Sequence, residues 1–149
     1  MLKFIKLSLI RIKNKLQMSS AAKEVTRRNI VLFGAPGVGK GTYGRLIRKE
    51  FGIPTFSMGD YFRKVIHETE SHKYMDEEEL KFVHSLHDTL RKGHFVTDEQ
   101  AIHVIDFARN QTFKKEPILI LDGVPRTVEQ ARRLPEYGIS IDLVMNFYS

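Results

Sequence analysis

The chain of 149 residues contains no cysteine, which closes off a disulfide framework and a thiolate-held zinc site and suits a reducing compartment. Long hydrophobic runs are missing as well. Nothing approaches the roughly 18 consecutive apolar residues that cross a bilayer, so a soluble protein is expected. Acidic charge is absent from residues 1–17 and scarce to residue 28, a stretch that carries eight of the 24 basic side chains and, in Glu24, one of the 18 acids. The other 121 residues hold sixteen basic and seventeen acidic groups, a net charge of −1. A near-neutral body lacks the spread basic surface of a nucleic-acid binder, and no nucleic-acid partner is expected. No internal repeat or low-complexity linker interrupts it. At 42% hydrophobic content the length suffices for one core.

The basic end has a pattern of its own. Leu2, Ile5, Leu9, Ile12 and Leu16 recur at helical spacing, and Lys3, Lys6, Lys13 and Lys15 lie largely off that stripe. Three readings stay open: a mitochondrial-type targeting segment, a contact with an anionic membrane surface, or an unstructured extension with Met18 as the true start. The tail is assigned to residues 1–28 and the fold to residues 29–149. A cytoplasmic location is expected, with a mitochondrial one as the alternative.

The most informative stretch is Asn29–Thr42, NIVLFGAPGVGKGT. Ile30, Val31, Leu32 and Phe33 read as a strand, and Gly34, Gly37 and Gly39 let the following backbone N–H groups turn around an anion. A helix from Lys40 adds its positive dipole end, and Lys40 can reach the β- and γ-phosphates of a nucleotide triphosphate. The strict GxxxxGK[ST] pattern is only partly met, because Gly41 takes the hydroxyl position and Thr42 follows one place later. A dinucleotide fingerprint fits worse: Gly37, Gly39 and Gly41 do not keep the GxGxxG spacing, and no acid ends the next strand.

Beyond the loop, periodicity predicts a helix over Lys40–Phe51, a strand over Ile53–Ser57, helices over Gly59–Glu68 and Glu77–Lys92, and a helix from the Thr97/Gln100 capping box to about Asn110. Asp76 is the expected cap of the Glu77 helix. Pro117–Leu121 reads as a strand covered on both faces, Val128–Leu134 as a helix and Ile141–Phe147 as a last strand. This alternation indicates a parallel α/β sheet. The six histidines, including His84 and His87 at i, i+3, lack cysteine or organised carboxylate partners and read as surface or packing residues.

Two further stretches, SMGDYFR at 57–63 and LDGVPRTVEQA at 121–131, stand with GAPGVGKGT in an order and spacing that resembles the adenylate kinase family of nucleoside monophosphate kinases. The resemblance runs from Asn29 to the end of the chain. It implies an α/β fold of the P-loop type, three layers α/β/α on a parallel sheet, with a helical insert near residues 57–96 for the monophosphate. It also implies phosphoryl transfer from ATP to AMP giving two ADP, with Mg²⁺ as cofactor, and a monomer is expected. By the resemblance, Gly37, Val38, Gly39, Lys40, Gly41 and Thr42 would hold ATP, Asp122 would position Mg²⁺ through water, and Lys40 and Arg126 would be catalytic. Ser57, Met58, Arg63, Val96, Gly123, Arg126 and Gln130 would form the AMP site, the two arginines clamping its phosphate and Gln130 reading the adenine edge. Gly59 and Asp60 would lie near it.

The pattern also departs from the family. Met58 stands where a threonine is usual, Tyr43 replaces a common glutamine and Val124 a usual phenylalanine. The family's lid, lid arginines and last strand and helix have no counterpart in these 149 residues. Such arginines contribute on the order of 10³–10⁵ in rate to phosphoryl transfer, so impaired turnover is expected of the chain as given. An uncovered apolar sheet edge is expected too. The alternatives are a catalytically inactive nucleotide-binding protein or a kinase for UMP or CMP.

Overall fold

In the computed structural model, residues 27–67 and 77–148 are described. The amphipathic pattern of residues 1–17, the Asp76 cap and Glu68 lie outside the described residues. Among those described, four strands form one parallel sheet: β1 (Arg28–Gly34), β2 (Thr55–Ser57), β3 (Ile118–Asp122) and β4 (Leu143–Phe147), in the order β2-β3-β1-β4. The helices are α1 (Lys40–Phe51), α2 (Met58–His67), α3 (Glu77–Arg91), α4 (Asp98–Phe107) and α5 (Val128–Arg133).

Alternation of side chains sorts the core into two layers. On one face Ile30 and Leu32 of β1 and Ile118 and Ile120 of β3 bury against Ile47 of α1, with Ile53 and Phe147. On the other, Val31, Leu119 and Leu121 pack beneath Leu86 of α3 and Ala101, Val104 and Ile105 of α4. Both central strands are therefore covered twice, as the unbroken apolar run at 118–121 requires. The edge strand β4 is different. Val144, paired with Val31, remains 56% exposed, and Phe33 on the same face is equally exposed.

The crossovers explain where a ligand can enter. From β1 the chain passes along α1 to β2 beyond β3; from β3 it passes along α5 to β4 beyond β1. The two connections leave in opposite directions on opposite faces, so a crevice opens between the carboxyl ends of β1 and β3. Gly34, Ser57 and Asp122 all end strands there.

Several boundaries differ from the expected ones, for local reasons. β1 begins at Arg28, inside the expected tail, because the Arg28 amide donates to Pro117 O at 2.9 Å and its guanidinium pairs with Asp142, also at 2.9 Å. β2 starts only at Thr55, since proline has no N–H for the ladder, although Pro54 O still accepts from Ile120 N. On α1, Leu46 is 41% exposed, whereas Ile47 and the small Gly44 face the core. Past Phe107 the chain widens into a π-helical turn, Ala108–Thr112. Arg109 is fully buried there and donates to Phe113 O at 2.6 Å and Glu116 O at 2.9 Å. Burial lowers its pKa to about 10, which leaves the guanidinium charged at neutral pH. The Val128 helix ends at Arg133 and tightens into a 3₁₀ turn over Leu134–Tyr137, and the last strand starts at Leu143.

Candidate active site

β1 brings the chain to the crevice at Gly34, and Gly37 and Gly39 turn it back with φ of 80° and 101°, which only glycine adopts freely. Gly39 is the N-cap of α1 and makes no side-chain cap, so the amides of the first helical turn are available to an anion. Lys40 folds over the same turn. Its Nζ donates to Gly34 O at 2.8 Å and Ala35 O at 2.9 Å. Thr42 is exposed, and its Oγ1 accepts from the Arg45 guanidinium at 3.1 Å.

Across the crevice, Asp122 closes β3 in register between Leu32 of β1 and Ser57 of β2. Burial pushes its carboxyl pKa up, the Lys40 ammonium opposes the rise, Asp60 adds to it and Arg126 counters it. Gly123 follows with φ of 81°. That positive φ is what favours glycine; a Cβ there would also come within 3.2 Å of the Arg126 guanidinium, which would have to give by a few tenths of an ångström. Arg126 is held by Nε donating to Gly123 O at 2.8 Å. Together Gly34, Lys40, Ser57, Gly59, Asp122, Gly123 and Arg126 line a cleft of about 360 Å³.

The structure thus gathers Lys40, Ser57, Asp122, Gly123 and Arg126 around one space. Of the glycine loop, Gly34, Pro36 and Lys40 line it; Gly37, Val38, Gly39, Gly41 and Thr42, the rest of the loop and the start of α1, are not among the lining residues. Met58 is buried behind it beside Gly123. Arg63 is not among the residues lining this cleft: it is exposed, pairs with Asp60 one turn earlier and faces a neighbouring cleft along β2. Val96 packs against the core next to the α4 cap. Gln130 is only 4% exposed, and both ends of its amide are engaged: Oε1 accepts from Arg126 N at 2.7 Å and Nε2 donates to Asp98 Oδ1 at 2.9 Å.

Sequence reasoning missed Asp98, which also accepts from Thr127 Oγ1 at 2.9 Å. Its position directly after the capping threonine made it look like an ordinary first-turn acid. Only the approach of α5 to α4 gives it partners.

Comparison with known proteins points to a family. The family model for adenylate kinase matches residues 32–149. Proteins named adenylate kinase from two strains of Buchnera aphidicola subsp. Acyrthosiphon pisum, Tuc7 and 5A, are each 35% identical over 120 residues, which is 79% of this chain and 50% of theirs. The chain therefore spans about half the length of these relatives. With the glycine loop, Lys40, Asp122 and Arg126 in one cleft and the match extending from β1 to the last residue, the chain belongs to the adenylate kinase family.

Proposed function

We propose that this chain supplies the phosphate-loop and monophosphate-binding part of an adenylate kinase, a nucleoside monophosphate kinase that moves the γ-phosphoryl group of ATP onto AMP to give two ADP. The observation that carries the reading is the convergence of Lys40, Asp122 and Arg126 on a single cleft. ATP phosphates would lie in the loop, taking the amides of the α1 amino end and the Lys40 ammonium. The AMP phosphate would meet the planar fork of Arg126, with Arg63 swinging from Asp60 to join it. Thr127 and Gln130 after Arg126 favour adenine over a pyrimidine acceptor.

Phosphoryl transfer needs positioned positive charge more than covalent help, and the presence of Lys40 and Arg126 in one cleft supports that reading. Mg²⁺ is the cofactor proposed. Among the described residues no cluster of three or more histidine or acidic side chains could cage a metal, and none is needed: Mg²⁺ keeps its waters and binds through one or two carboxylates plus substrate phosphates. A lone half-buried Asp122 facing the loop fits that demand. When bound, the ion would neutralise phosphate charge beside Lys40. Among the described residues no helix is long and apolar enough to cross a membrane, and water-borne nucleotides suit a cytoplasmic setting.

The test is a coupled assay for ADP formed from ATP and AMP with Mg²⁺, run beside direct titration of each nucleotide. Turnover that disappears in Lys40→Ala supports the enzyme. Binding of AMP with no turnover supports a binding protein instead, and spectra unmoved by either nucleotide defeat both.

A further inference from the structure

The second cleft, along β2, meets the sheet edge-on. Successive residues of a strand send their side chains to opposite faces: Thr55 leans toward α1, where it lies against Gly44, and Phe56 is buried in the layer of α3 and α4. Yet Thr55, Phe56 and Ser57 all line this cleft of about 470 Å³. A space that touches three consecutive residues lies against the backbone of the strand rather than against one of its faces.

The register says which backbone groups look into it. Among the described residues β2 stands at the end of the sheet and pairs with β3. Ile120 N donates to Pro54 O at 3.0 Å with Thr55 opposite Ile120, and in a parallel ladder this gives the next bonds to Phe56. Thr55 and Ser57 therefore turn their N–H and C=O groups away from β3. Ser57 caps α2, its Oγ accepting from Asp60 N at 3.3 Å, so its carbonyl belongs to the first turn of the helix. What remains for the cleft is the N–H and C=O of Thr55 and the N–H of Ser57.

Apolar and cationic groups surround this edge. Phe107, Ala108 and Phe113, from the end of α4 and the turn after it, line the cleft on one side, and Arg63 and Lys64 of α2 line it on the other. Lys114 and Lys115, both exposed, follow Phe113 directly. Asp60 and Glu116 are the acids nearest these cations in the described sequence; the first is paired with Arg63 and the second is half-buried.

We propose that the outer edge of β2 is a docking site for an extended acidic segment of a partner protein, which adds a strand beside Thr55–Ser57 and lays an apolar side chain against Phe107 and Phe113. Three features select this occupant. Unpaired strand groups call for an extended main chain, the three residues of β2 match a partner stretch of about 10 Å, and the cations favour carboxylates. A short edge flanked by lysines also discourages indiscriminate pairing, and a second copy of this chain would bring like charges to the same place. The inference is independent of the nucleotide chemistry, although Ser57 lines both clefts and sets the partner close to the active site.

The experiment titrates the full chain into fluorescein-labelled acetyl-Glu-Val-Glu-Leu-Glu amide at about 50 mM salt and follows anisotropy. A dissociation constant of about 100 μM is expected, as suits a small, transient interface, rising at least about tenfold in Lys64→Glu. Methylating the peptide's backbone nitrogens distinguishes strand addition from charge attraction. Methyl groups on one alternate set, the Glu or the Val and Leu nitrogens, should abolish binding, while the other set should leave it within about threefold. Thr55→Pro, which deletes an outward N–H, should weaken the peptide about tenfold; should it fail to fold by circular dichroism, the methylated peptides carry the same test. No saturable binding up to about 1 mM, or a Lys64→Glu variant that binds as the wild type does, overturns the site. Binding indifferent to both methylated sets reveals a loose ionic contact and overturns strand addition. A chain that sediments alone as a dimer, separated by Thr55→Pro, gives the edge to a second copy and overturns the proposal as well.

Discussion

The two sides of the cleft are built differently. The side assigned above to the donor is almost entirely backbone from one continuous stretch, Gly34 to Thr42, shaped by glycines and one lysine. The side assigned above to the acceptor draws on side chains from three separated stretches, near 57–63, 96–98 and 122–130, the last two joined through hydrogen bonds of Asp98 with Thr127 and Gln130. A contiguous cradle needs little beyond its own strand and helix to hold its form. A dispersed clamp depends on α2, α4 and α5 keeping their places, and so it is the side where single substitutions should reach specificity.

The largest effect that separates the two sides is expected from Lys40→Ala, which should weaken ATP by about a hundredfold and change AMP by less than about threefold. Parallel titrations of the two nucleotides check it; an equal loss of both would dissolve the distinction between the sides. Next comes Arg126→Ala, which should weaken AMP by about thirtyfold and ATP little, because in the proposed arrangement the guanidinium meets only the acceptor phosphate. Equal weakening would show that Arg126 serves the whole cleft.

Smaller is the effect of Thr97→Ala, which removes the capping box that Thr97 and Gln100 form at 3.1 Å in both directions and should cost about 1 kcal/mol in denaturant unfolding. Because that cap sits beside Asp98, the same variant should loosen AMP more than ATP. Smallest is Asp122→Asn without ligand. Burial raises the Asp122 pKa, so the folded chain holds this proton to higher pH than the unfolded chain does. The stability it contributes is full below the ordinary value of 3.8 and is lost as pH rises through the raised value. Asparagine should therefore melt slightly higher than wild type at neutral pH, with the gap closing below pH 3.8. A lower melting point at neutral pH would mean that attraction to Lys40 and Arg126 outweighs burial.

Legibility followed the same division. The order of strands and helices, the doubly covered run at 118–121 and the phosphate loop could be read directly, because each rests on local period or glycine geometry. Arg126 and Asp122 could be placed through the motif that contains them. Arg109 and Asp98 could not. An arginine in a helical stretch reads as solvated until a widened turn aims it at the carbonyls of Phe113 and Glu116. An aspartate after a capping threonine reads as helix-end charge until α5 arrives with Thr127 and Gln130. Both roles are tertiary, and no spacing rule encodes them.

The posture of Lys40 has a last consequence. Its ammonium gives two of its three N–H groups to the Gly34 and Ala35 carbonyls, so a visiting anion meets the third and gains the other two only by displacing neutral acceptors. Since ionised acceptors bind roughly twice as strongly as neutral ones, a singly charged ion gains little by the exchange, whereas a polyphosphate, offering several oxygens at once, gains much. On the proposed reading the loop thus favours a chain of phosphates over a single small anion.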